Sequence, residues 1–96
     1  MERQHALDVL RNSKADLRRR FGVTRLALFG SYARELEQGD SDVDVLVTFD
    51  GPATSDRYFG VLFLLEDWLG RPVELVTDKA LHPALRPFVE RDAIAV

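Results

Sequence analysis

Within residues 2–20 and just beyond, Leu7, Leu10, Leu17 and Phe21 recur at intervals of three, seven and four, the stripe of an amphipathic helix. Gly22 supplies its stop. The pattern then changes. Residues 25–29 form a short apolar run that ends at Gly30-Ser31, and its brevity and flanking glycines predict a buried strand entering a tight turn. Residues 32–36 have room for one or two helical turns, Glu37-Gln38-Gly39-Asp40-Ser41 is turn chemistry, and the valine-rich stretch 42–49 predicts a second strand. After the loop 50–55, Thr54 or Ser55 is placed to cap a helix over 56–69, which Gly70 and Pro72 end. A third strand over 73–77, a short helix over 83–91 and a last strand over 93–96 complete the order. The chain thus reads as helix and strand in strict alternation, which predicts an α/β domain built on a small mixed sheet with its helices packed on one face.

The predicted helix 56–69 departs from simple amphipathicity. Tyr58, Val61, Leu62, Leu65 and Leu69 line one face, while Phe59, Phe63 and Leu64 make much of the remainder apolar. A helix apolar nearly all round is covered on two sides, either by its own core or by a partner protein.

Length and composition narrow the function. With 96 residues the chain fits one small domain, 1–96, with no room for a separate substrate domain, so an elaborate acceptor site requires a partner. Net charge is −3, and Arg18, Arg19 and Arg20 form the one dense basic run, pointing in different directions on a helix. The electrostatic footprint of a nucleic-acid-gripping protein is missing, and no DNA partner is expected. Cysteine is absent, which removes disulfides and thiolate metal sites. No apolar run is long enough to span a membrane and no leader pattern precedes the first helix, so a cytoplasmic protein is expected.

The chemistry concentrates at the end of the first strand and the start of the second. Asp42 and Asp44 stand two apart on a predicted strand, leaving the same face roughly 6 to 7 Å apart at the backbone. Two carboxylates held that close repel unless a divalent cation sits between them. Mg²⁺, which keeps waters and substrate phosphates in its shell, suits such a pair better than a calcium cage does. Alone, alternating aspartates are more often the wet face of a half-buried strand. Here Gly30-Ser31 precedes them, where a glycine admits backbone amides to a phosphate and the serine adds a hydroxyl donor, with Arg34 one turn later to add charge.

Gly30-Ser31, ten intervening residues, then Asp42-Val43-Asp44 resembles the GSx10DxD signature of the DNA polymerase beta nucleotidyltransferase superfamily. More closely, LFGSYARELEQGDSDVDVLVTFD is similar to the minimal nucleotidyltransferases, the MntA-like antitoxins encoded beside HEPN-domain toxins, and the likeness extends to Val73-Glu74-Leu75-Val76 and Leu81-His82-Pro83. The resemblance implies that Gly30 and Ser31, with Arg34, hold the triphosphate of ATP, and that Asp42 and Asp44 bind two Mg²⁺ ions. It further implies a third carboxylate on a neighbouring strand, at the position of Glu74. The family commonly has aspartate there, so Glu74 is a departure, one methylene longer. The reaction implied is transfer of AMP from ATP to a hydroxyl, with a tyrosine of a cognate HEPN toxin as acceptor and a hetero-oligomer with that toxin as the setting. A non-catalytic antitoxin that masks its partner through the helix bearing Phe59 and Phe63 is the alternative. Transfer to a small molecule fits less well, because such enzymes append a further domain.

Other signals fall away. Asp40, Asp42 and Asp44 imitate a calcium loop, but Val45 and Gly51 stand where that loop needs glycine and glutamate. His5 and His82 are isolated, and His82 before Pro83 is expected to shape a turn. Tyr58 and Trp68 sit among aliphatic neighbours at helical spacing and are expected in packing or an interface.

Overall fold

A computed structural model describes residues 2–36 and 41–96, so the expected turn at Glu37-Gln38-Gly39-Asp40 lies outside the described residues. Helix α1 (Arg3–Phe21) buries Ala6, Leu7, Leu10, Ser13 and Leu17, the predicted stripe with its gaps filled by small residues. It ends at Gly22, whose left-handed backbone (φ 74°) lets its N–H reach back to the carbonyls of Leu17 and Arg18. Strand β1 (Val23–Phe29), the single-turn helix α2 (Gly30–Ala33) and strand β2 (Val43–Phe49) follow. Helix α3 (Ser55–Leu69) is capped by the Thr54 hydroxyl, which accepts from the Arg57 N–H, and stops at Gly70. Strand β3 (Val73–Thr77), helix α4 (Arg86–Asp92) and the two-residue strand β4 (Ile94–Ala95) close the chain.

The four strands form one mixed sheet in the order β3-β2-β1-β4. β1 runs antiparallel to both β2 and β4, while β2 and β3 are parallel and joined through α3. Strand alternation divides the residues between two faces. Val43, Val45 and Val47 join Leu26 and Leu28 in the main core, where α1 and α3 supply Leu10, Leu17, Val61 and Leu65. A register shift between Val23 and Arg25 lets Val23 enter the same core despite its odd spacing from Leu26. The opposite face is not bare. Ala27, Leu46 and Leu81 form a second, smaller cluster there with Phe29, Val76, Val89 and Ala93. Helix α4 therefore covers the β1 side of this second face, held by a two-bond pair from Arg25 to Glu90 (3.0 and 2.9 Å). What α4 leaves uncovered is the end of the sheet where β1 finishes and β2 and β3 begin. No helix among the described residues is long and apolar enough to cross a membrane.

Candidate active site

Because β1 is antiparallel to β2 and β2 is parallel to β3, the last residue of β1 and the first residues of β2 and β3 meet at one end of the sheet. In register, Phe29 faces Asp44 and Asp44 faces Glu74. Adjacent strands lie about 4.8 Å apart, so the carboxyl-bearing side chains at 44 and 74 emerge side by side on the same face. The residue that the family resemblance gave as a candidate third carboxylate therefore lies beside Asp44. The extra methylene of Glu74 carries its head group outward, and it is exposed, whereas Asp44 is half-buried.

Gly30 fixes the other wall. Its φ of 71° is a conformation that costs an L-residue about 1–2 kcal/mol, and a Cβ built there would sit 2.0 Å from the Asp44 Oδ2. The glycine is required twice, by backbone conformation and by the carboxylate pressed against it. Ser31 follows at once, half-buried in α2. Arg34 turns back over the same turn, its Nε donating to the Gly30 carbonyl at 3.3 Å while also lying 3.7 Å from the Asp92 carboxylate of α4. The cation assigned to phosphate is thus moored at the turn, with its guanidinium half exposed. Asp92 is the residue that reading the sequence missed. No local pattern couples positions 34 and 92, and only the packing of α4 beside α2 brings them together.

The electrostatics of the cluster are those of crowded acids. The Asp44 carboxyl is pushed up from 3.8 to about 6, first by burial, then by a hydrogen bond shared with Glu74 and by the charges of Glu74 and Asp42, with Arg34 pulling the other way. Asp42, just before β2, is exposed. Among the described residues no three acidic or histidine side chains are already drawn together at metal-holding spacing. The structure pairs Asp44 with Glu74 and keeps Asp42 within electrostatic reach of them. This donor set fits a hard divalent cation: oxygen ligands only, a surplus of negative charge, and an acid that resists ionising until positive charge arrives.

The remaining sequence expectations fall outside this site. Tyr58 packs against the main core and donates from its hydroxyl to the Leu75 carbonyl at 2.6 Å. His82 shapes the turn before α4, its Nδ1 accepting from the Ala84 N–H. Arg18, Arg19 and Arg20 are exposed on the last turn of α1, and Arg19 and Arg20 pair with Asp16.

A mixed sheet that presents a Gly-Ser turn beside strand-borne carboxylates at one open end is the frame of a nucleotidyltransferase, and the chain is an enzyme of that class. The family model for the nucleotidyltransferase domain matches residues 10–96, and this chain belongs to that family. The protein adenylyltransferase MntA of Thermococcus cleftensis is 36% identical over 88 residues, covering 92% of this chain and 89% of that relative. A solved structure provisionally described as a minimal nucleotidyltransferase superposes with a TM-score of 0.83 at 35% identity, covering 100% of this chain and 97% of that one. The fold also recurs, at a TM-score of 0.66 and 20% identity over 95% of this chain and 70% of the other, in a complex of a tri-AMPylated Shewanella oneidensis HEPN toxin with MNT antitoxin.

Proposed function

We propose that this chain is a Mg²⁺-dependent adenylyltransferase that moves AMP from ATP to a protein hydroxyl, a tyrosine of a cognate HEPN toxin, and so acts as its antitoxin. The observation that carries the chemistry is the alignment of Asp44 with Glu74 against Gly30. The name of the Thermococcus relative and the AMPylated toxin in the distant complex support the acceptor.

Gly30, free of a Cβ, lets the Asp44 carboxylate close against the turn, where the Ser31 hydroxyl and Arg34 would serve as donors toward the triphosphate oxygens. Asp42, Asp44 and Glu74 would hold the two Mg²⁺ ions, which when bound neutralise charge on the attacking and leaving oxygens. The acceptor oxygen forms a bond to the alpha phosphorus as the bond to the bridging oxygen of pyrophosphate breaks. Glu74, exposed beside the half-buried Asp44, would take the acceptor proton. Arg34, moored by Gly30 and Asp92, would add positive charge toward the phosphates.

The test is incubation with ATP, Mg²⁺ and the protein of the adjacent reading frame, the proposed HEPN partner, followed by peptide mapping of both proteins. AMP on a tyrosine of the partner, abolished by chelation and by Asp44→Ala, is the expected result. AMP on another residue type would correct the acceptor, and no AMP with the partner nonetheless silenced would favour masking, the reading that the exposed Phe59 and Phe63 keep in view.

A further inference from the structure

Helix α3 carries an apolar surface that the catalytic end of the sheet does not use. Val61, Leu65 and Leu69 face the main core, and Phe59 and Phe63 point the opposite way, 48% and 60% exposed, with their rings stacked at 5.8 Å. Large aromatic side chains left in water one turn apart are the usual anchors of helix-mediated recognition. Asp56 and Asp67, both exposed, lie on the same helical stripe at either end of the aromatic pair. They stand eleven positions apart, about 16 Å along the helix axis.

The carboxylates decide what the surface accepts. A second copy of this chain, packed α3 against α3 about a twofold axis, would set Asp56 against Asp67 if the helices ran antiparallel, and each aspartate against its own counterpart if they ran parallel. Both arrangements bring like charges together beside a desolvated aromatic centre. A partner with an apolar centre and basic residues at both ends meets the pattern with charges matched.

We infer that α3 is a docking surface for a helix of the partner protein that bears apolar residues one turn apart, flanked by Lys or Arg about three turns apart. The inference rests on the proposed function for the partner's identity and deepens it by separating docking from chemistry. Phe59 and Phe63 project from the layer that covers the main-core face, whereas Asp44 and Glu74 open on the other face of the sheet. A protein gripped at α3 is thus held away from the acids, and its acceptor tyrosine belongs on a segment able to reach round the sheet edge or on a neighbouring subunit.

The test uses the full chain and the proposed HEPN partner, with affinity measured by titration calorimetry and mass by sedimentation. Wild type and Asp44→Ala are expected to bind alike. The double variant Phe59→Ser, Phe63→Ser is expected to bind at least tenfold more weakly with an unchanged melting temperature, and Asp56→Lys, Asp67→Lys to weaken binding without touching the aromatic rings. Unchanged affinity in both double variants overturns the docking surface, as does the absence of a wild-type complex. So does a wild-type homodimer that Phe59→Ser, Phe63→Ser dissolves, since the occupant is then a second copy. AMP transfer scored on the same samples is independent. Transfer without α3-dependent binding sinks this inference alone, and α3-dependent binding without transfer sinks the adenylyltransferase reading alone.

Discussion

The exchange between Gly30 and Asp44 is the tightest constraint at the residue scale. Gly30→Ala adds a methyl group to a position with φ of 71° and drives it into the Asp44 carboxylate. A loss of about 1–2 kcal/mol of stability from the backbone alone is expected, together with a displaced carboxylate and transfer reduced by at least a hundredfold. Circular-dichroism melting and a transfer assay on the same preparation check both. Asp44 also makes stability depend on pH. Its folded carboxyl titrates near 6 against an ordinary 3.8, so the folded chain holds a proton that the unfolded chain has released between those values. The stabilisation from that neutral carboxyl is present at low pH and lost as pH rises through about 6, above which the fold carries a crowded anion. Asp44→Asn in EDTA is therefore expected to melt above wild type at pH 8, by about 1 kcal/mol after solvent screening at a half-open site, and to converge with it near pH 4. Mg²⁺ is expected to raise the wild-type melting temperature at pH 8 and to leave the asparagine variant nearly unmoved. Identical pH 8 melts in EDTA would show that the acids do not crowd one another.

The elements differ in how openly they stand in the sequence. The stripe Leu7, Leu10, Leu17, the capping Thr54 and the run Val73–Thr77 are local signals, and α1, α3 and β3 were legible within a residue or two. Helix α4 was harder. Pro83 suggested an early start, yet residues 83–85 form turns around His82 and the helix begins at Arg86. Its place on the second face depends on Arg25–Glu90 and on Val89 packing against the cluster that holds Ala27 and Leu46, contacts between segments far apart in the chain that no periodicity encodes. Of the candidate site, Gly30-Ser31 and Asp42-Val43-Asp44 are local patterns, whereas Glu74 entered through the family resemblance and its register with Asp44 is seen only in the strand pairing. Asp92 was not. The Glu90 carboxyl is held below its ordinary range by the Arg25 guanidinium, so its contribution is present above pH 4.5 and falls away as pH drops through the folded value. Glu90→Gln is expected to speed amide exchange in α4 at neutral pH and to leave α1 unaffected, as hydrogen-exchange mass spectrometry would show. Asp92→Ala frees Arg34 from one of its moorings. A several-fold higher KM for ATP with a smaller change in kcat is expected, and adding Asp92→Ala to Arg34→Ala should do little more. Fully additive effects would remove Asp92 as a positioning residue.

At the scale of the whole molecule, one sheet separates the proposed docking surface from the candidate active site. Its helix-covered face supplies the core, and the outer side of α3 presents Phe59 and Phe63. The other face, partly closed by α4, leaves open the end where Asp44 and Glu74 stand in register. The candidate site is open among the described residues, and the proposed partner would bring its own hydroxyl to it. The most direct measurement is transfer of label from ATP labelled at the alpha phosphate to the proposed HEPN partner, with Mg²⁺, comparing wild type with Asp42→Ala, Asp44→Ala. Label on the partner with wild type, and none with the double variant, is the predicted result. Equal labelling by both proteins would contradict the assignment of these carboxylates to the chemistry.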